Sequence, residues 1–358
     1  MKTPARLFVL SVLLVLSPAA AQYPRPLRHP FSSYDLAAHL TSARFTRVVV
    51  VDSSGGGDYK KISDALAYVA TKKSSERNWT TRWTVVVYPG QRGSTDPNVY
   101  GYNYSETSLT IPAYTEVMGF ATGQSDPIAW MGGTPVIELR ATSGTLVKLG
   151  GGSSLTNLHF FWAQPPTAAV KGIDHTTVPD NDPANNNVSW LGQLTNVSFS
   201  LVAQNASFPV DGFTESSGGL VVHGGGVMLI GSVAGRAVVN AGDAGMSLYG
   251  GRYGGSSGCA ALMANTAAGG LRLFAGVRMD ADCANDLVRT GAGAIEVQGG
   301  VDYRSASGTI AHGTAHVPYG TALPSACSVG AAFLNTTSGA EKLCACTTAN
   351  TWRCAPLQ

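Results

Sequence analysis

Four segments in the second half of the chain repeat one alternation of apolar and polar positions: Leu220 to Gly226, Met246 to Arg252, Leu271 to Val277 and Ile295 to Val301. In each, two apolar residues alternate with polar or aromatic ones, and a small residue paired with Gly then turns the chain. Their starts lie 26, 25 and 24 residues apart. A further step of 26 back reaches Leu194, and the same alternation begins again at Leu155 and Thr115, at intervals of 39 and 40. The added length falls in polar, Pro-containing stretches such as Pro179 to Asn187, which read as loops. A second track runs alongside, with Val239, Met263 and Leu287 preceding their landmarks by 7, 8 and 8 residues. Short period-two strands, several per repeat and with no helix between them, predict a parallel β-solenoid whose coils stack about 4.8 Å apart. An antiparallel sandwich also has short strands and Gly turns, but it does not require near-identical segments at this interval.

The first half supplies an end cap. Val48 to Val51 is a β-branched run, a Gly-rich turn follows from Asp52 to Tyr59, and Ile62, Ala65, Leu66 and Val69 recur at helical spacing. The amphipathic helix this predicts covers the open end of the first coil, and Thr84 to Tyr88 re-enters the sheet. Ahead of this stand Lys2 and Arg6, an apolar run from Leu7 to Leu16, and Ala19 to Ala21. That order is a secretory signal peptide with cleavage after Ala21, its apolar core too short to span a bilayer. The expected divisions are a signal peptide at 1–21, a linker at 22–47, the solenoid at 48–320 and a C-terminal module at 321–358.

Composition narrows the class of partner. Removing the signal peptide leaves 337 residues and takes the formal net charge from +2 to 0, with no basic cluster to attract nucleic acid. No later segment is long enough to be a membrane span. All six cysteines lie late: Cys259, Cys283, Cys327, Cys344, Cys346 and Cys354. An even count in an exported chain predicts disulfides, and the spacings of a zinc site are missing. Cys259 and Cys283 are 24 residues apart, one coil, so equivalent positions on neighbouring coils fall within bridging distance.

Val49 to Leu66, Val85 to Gly90 and Ser108 to Pro112 resemble the opening of the pectin-lyase-like superfamily, pectinesterases in particular. The resemblance covers residues 48 to 120 and implies a right-handed parallel β-helix, all-β, with an N-terminal capping helix and an association with polysaccharides. It transfers no catalytic residue: the Gln, Asp and Arg motifs of pectinesterases and the paired-Asp and Gly-His-Gly motifs of polygalacturonases are not found. Cys327 to Trp352 resembles a short Cys-containing module that closes some bacterial surface and phage-like proteins. That resemblance implies Cys327 paired with Cys346 and Cys344 with Cys354, one of three connectivities open to four cysteines.

Three sets of residues are candidates for chemistry. Asp280, Asp282 and Asp286 surround Cys283; such carboxylates could take calcium or act as acid and base, or simply form a solvated turn. His223, Tyr249, Phe274 and Gln298 share the fourth landmark position, an outward column able to stack on sugar rings or to pack under a covering loop. Trp130, Trp162 and Trp190 fall in or beside the longest insertions, as sugar platforms or loop anchors. Asp174 and His175, with Asp180 and Asp182, read as a loop without a nucleophile partner. Six sequons, at Asn78, Asn103, Asn187, Asn196, Asn205 and Asn335, could carry glycans in a eukaryotic secretory route.

These readings predict a secreted or cell-surface protein that binds polysaccharide or a cell-surface glycan without breaking it. No cofactor is required, calcium being the one ion the Asp set would take. A carbohydrate-active enzyme (lyase, hydrolase or pectinesterase-like) with a diverged site is one rival. A phage-tail-like or adhesive stalk, expected to be trimeric, is the other.

Overall fold

A computed structural model describes residues 47–89, 103–120, 134–178, 191–203, 207–231, 234–255, 259, 261–299, 301, 303, 305–312, 319–320, 322–325, 327, 332–335 and 342–356. The signal peptide expected at 1–21 and the expected linker up to residue 46 lie outside them.

Two all-parallel sheets, of 15 and 8 strands, build the body. The chain visits the large sheet, crosses to the smaller one and returns, so each circuit adds strands beside those of the circuit before. Along the large sheet run Val48–Val51, Trp83–Val87, Thr115–Gly119, Ser154–Gln164, Gly192–Ala203, Leu220–His223, Met246–Tyr249, Leu271–Phe274, Ile295–Val297 and Ile310–His312. Leu220, Met246, Leu271 and Ile295 pair in register, as the repeat predicts. Before them the register differs by two: Gly192 pairs with Leu220, and Leu194 with Val222. Val117 rather than Thr115 is the partner of Leu155.

The smaller sheet holds Leu109–Ile111, Gly144–Leu149, Val170–His175, Val210–Glu215, Arg236–Asn240, Met263–Asn265, Leu287–Arg289 and Ala306–Ser307. Here Val238, not Val239, pairs with Met263, which in turn pairs with Leu287. Asp174 and His175 end a strand of this sheet rather than lying in a loop. Two stacked columns form the core. Leu155, Leu194, Val222, Leu248 and Leu273 face it from the large sheet, and Val147, Ile173, Phe213, Val238 and Met263 from the smaller, each fully buried. Burial of each is worth roughly 1.5–3 kcal/mol, so the stack carries most of the stability.

Within each circuit the large sheet bends where the landmarks place their small-Gly pair. Asn157 and Asn196 take the left-handed conformation at this bend, with φ of 52° each, and the Asn196 amide donates to Asn157 Oδ1 at 2.9 Å. Later circuits use Gly224 and Gly225, then Gly250 and Gly251. At Gly225 a Cβ would sit 2.0 Å from the Val197 carbonyl oxygen, so only glycine allows the two circuits to approach.

Polar side chains close the turn leading from the smaller sheet back to the large one. Asn240 donates to Asn265 Oδ1 at 2.9 Å and to the Gly269 carbonyl at 2.8 Å, while Asn265 donates to the carbonyls of Gly269 and Gly293. Both asparagines are fully buried, and these bonds satisfy carbonyls that a tight turn leaves without ladder partners.

The helix, Ile62–Ala70, buries Ile62, Ala65, Leu66 and Val69 against the first strands. Its own Lys61 gives no side-chain cap. Instead Glu106, in the next circuit, accepts the Ile62 and Ser63 amides at 2.8 and 3.3 Å. A buried carboxylate thus ties the helix N-terminus to the sheet.

A separate sheet of Tyr319–Gly320, Ala332–Asn335, Lys342–Thr348 and Thr351–Pro356 ends the chain, its last three strands antiparallel. It is closed by Cys327–Cys346 and Cys344–Cys354 bridges. The third disulfide, Cys259–Cys283, spans 24 residues with its Cα atoms 4.4 Å apart. Among the described residues no helix is long and apolar enough to cross a membrane.

Candidate functional site

The fourth landmark position forms an outward column on the large sheet. Thr195, His223, Tyr249 and Phe274 pair in strict register while Val222, Leu248 and Leu273 beside them face the core. Strand alternation alone dictates this division. The rings stack on one another: His223 and Tyr249 have centroids 4.9 Å apart at 17°, and Tyr249 and Phe274 4.1 Å apart at 9°. Gln298 follows one circuit later, its backbone amide donating to Leu273 at 2.8 Å.

This stacking changes what the column can do. Both faces of Tyr249 are covered by its neighbours, so no sugar can lie flat on it. What Tyr249 presents to solvent, at 40% exposure, is a ring edge with its hydroxyl. The outer faces of His223 and Phe274 are turned along the column toward Thr195 and the circuit of Gln298. Ion pairs between circuits flank the column: Arg272 with Glu296 at 3.2 Å, and Arg252 with Asp280 beyond the Gly250–Gly251 bend. The column is therefore a strip of ring edges bordered by paired charges.

The other predicted sites fare differently. Asp280, Asp282 and Asp286 are not brought together. Asp280 stands on the large sheet held by Arg252, Asp286 is buried at the entry to the strand Leu287–Arg289, and Asp282 is exposed between them. Among the described residues no three His, Cys, Asp or Glu side chains are grouped to hold a metal. The expected calcium set is thus corrected: one chain turn carries its members onto different surfaces. Trp162 is not a sugar platform either. It is fully buried with Phe160 in the core, and its indole donates to the Ala141 carbonyl at 2.7 Å. Trp130, Trp190, Asp180, Asp182, Asn187 and Asn205 lie outside the described residues.

A cluster that sequence reading did not assemble sits on the smaller sheet. Lys171 Nζ lies 2.9 Å from Asp174 Oδ2 and 3.0 Å from Ser216 Oγ, and Ser216 Oγ donates to Asp174 Oδ1 at 2.6 Å. Asp211, beside Lys171 in register, pairs with Arg236 at 2.7 Å. The residues adjoining this cluster point the other way. His175 is buried, and desolvation pushes its imidazole down to about 4. Glu215, one circuit on in register, is also buried; desolvation raises its carboxyl although it accepts the amides of Gly219 and Gly242. The signal for a strand here was weak, because Gly172 breaks the period-two alternation between Val170 and His175.

No family model, curated protein or solved structure matches this chain.

Proposed function

We propose that this chain is an exported right-handed parallel β-helix whose ring-edge column holds a polysaccharide along the helix axis without cleaving it. The observation that carries the reading is the in-register stack of His223, Tyr249 and Phe274 on an outer face. Stacked strands place one ring edge per circuit at about 4.8 Å, a step comparable to one sugar of an extended chain. An extended polymer lying across the edges would meet a repeat of nearly its own period. The imidazole, the Tyr249 hydroxyl and the Gln298 amide then offer hydrogen bonds to successive sugars, and the ring edge of Phe274 offers an apolar contact. Export is supported by the leader pattern and by three disulfides. The β-helix reading is supported by the parallel register of both sheets and by the resemblance of residues 48 to 120.

Affinity electrophoresis against a panel of plant, bacterial and algal polysaccharides tests this. Retardation by at least one extended polymer is expected, weakened roughly five- to tenfold in Tyr249→Ala, the loss of about one hydrogen bond. No retardation across the panel, or equal retardation of wild type and a His223→Ala/Tyr249→Ala double variant, would sink the reading.

A further inference from the structure

We propose that Ser216 is a nucleophile for carboxylic esters, with Asp174 as its base and Lys171 as the stabiliser of the oxyanion. The three side chains come from a strand and from the turn one circuit later, Ser216 lying 42 residues from Asp174 and 45 from Lys171. Their mutual bonds close a triangle, with the hydroxyl proton already directed at Asp174 Oδ1 over 2.6 Å and the ammonium 3.0 Å from the oxygen that would attack.

The backbone is shaped to permit this. In a regular strand, residues three apart face opposite sides. Here the ladder skips Gly172, pairing Lys171 with Asp211 and Ile173 with Phe213, and the bend returns Asp174 to the side of Lys171. A Cβ on Gly172 would meet the Phe199 ring at 2.9 Å, so glycine is what the bend accepts. The next circuit offers Asp211 and Thr214 at the positions matching Lys171 and Asp174, so the Lys–Asp pair is not repeated there. The Asp174 side chain is 6% exposed and that of Lys171 38%, so solvent and substrate approach from the lysine side.

The chemistry balances without a further reactant. Ser216 Oγ bonds to the ester carbonyl carbon as its proton passes to Asp174, and the ammonium of Lys171 meets the oxygen that gains negative charge. The carbon–oxygen bond to the alcohol breaks, the alcohol leaves with the proton from Asp174, and the acyl group stays on Ser216. Water then attacks the acyl-serine, giving up a proton to Asp174, and the acid departs as that proton returns to Ser216 Oγ. Ester and water become acid and alcohol. A short acyl ester is the class of substrate that suits a shallow, half-open trio.

Treatment of the folded full-length chain with a fluorophosphonate, followed by peptide mass spectrometry, is expected to give an adduct at Ser216. Turnover of p-nitrophenyl acetate should fall to the blank rate in Ser216→Ala and on the order of a hundredfold in Asp174→Asn. A purely structural ion pair would move the melting temperature of these variants but would produce no serine adduct. Absence of the adduct in folded wild type, or hydrolysis unchanged in Ser216→Ala, overturns the proposal. If Asp174→Asn does not fold, the wild-type adduct alone decides. Either result leaves polysaccharide retention on the opposite sheet as a separate question.

Discussion

Glu106 offers the most direct test of how the helix is held to the sheets. The residue is 6% exposed, and its carboxylate accepts two amides from the first turn of Ile62–Ala70, a helix that lacks a side-chain cap of its own. Glu106→Ala removes the acceptor and leaves the amide of a fully buried residue, Ile62, with no replacement. A lost cap costs about 1 kcal/mol, and an amide left unsatisfied in the interior about 1–3 kcal/mol. Since these overlap, ~2–3 kcal/mol of local destabilisation is expected for Ala. Glu106→Gln keeps an oxygen acceptor and loses only the charge facing the helix N-terminus, for ~0.5–1 kcal/mol. Urea unfolding followed by circular dichroism should rank the proteins wild type, Gln, Ala. Native-state hydrogen exchange should quicken first at Ile62 and Ser63. If Glu106→Ala unfolds within ~0.5 kcal/mol of wild type and exchange at those amides is unchanged, the cap does not hold the helix and the reasoning fails.

Acid should loosen the turn beside Glu215 for a definite reason. With its folded pKa near 4 and an ordinary value of 6.5, His175 binds its proton more readily in the unfolded chain. Its contribution is therefore complete above pH 6.5 and is lost as pH falls through 4, up to ~3 kcal/mol. Urea midpoints between pH 7 and 4.5 should show that slope, flattened in His175→Asn. Glu215 titrates in the opposite sense, since its raised carboxyl favours the folded state as pH falls, and so subtracts from the slope. At the Gly bend, Gly225→Ala should lower the melting temperature far more than Gly224→Ala. Both have positive φ, but a Cβ at Gly225 strikes the Val197 carbonyl while at Gly224 it meets nothing within 4 Å. Gly224→Ala should cost ~1–2 kcal/mol from its backbone conformation alone, and equal effects would contradict the packing argument.

The large-scale organisation was legible because period-two alternation and paired small residues are local signals. The two-residue slips at Leu194 and Thr115 were not, for a shift of two keeps every side chain on its own face and leaves the apolar pattern intact. At Val238 and Val239 both residues are apolar, so alternation could not choose between them. Trp162 was readable, since it continues the inward series Leu158, Phe160 at a spacing of two up to the edge of the insertion. The stacking that covers Tyr249 needs interatomic distances, and the Lys171–Asp174–Ser216 contact joins residues more than 40 positions apart. No local pattern encodes either.

In-register pairing gives the chain a kind of modularity with one exception. Excising residues 246–270 would bring Leu271 against Leu220 with every inward position preserved, because Met246 pairs with both. The same cut would remove Cys259 and strand Cys283 without its partner. A tandem copy of that stretch would instead place a second Cys259 between the original pair and leave one thiol over. The bridge thus fixes the circuit number where hydrogen bonding alone would let it drift, and a variant that gains or loses a turn there leaves a cysteine without its partner.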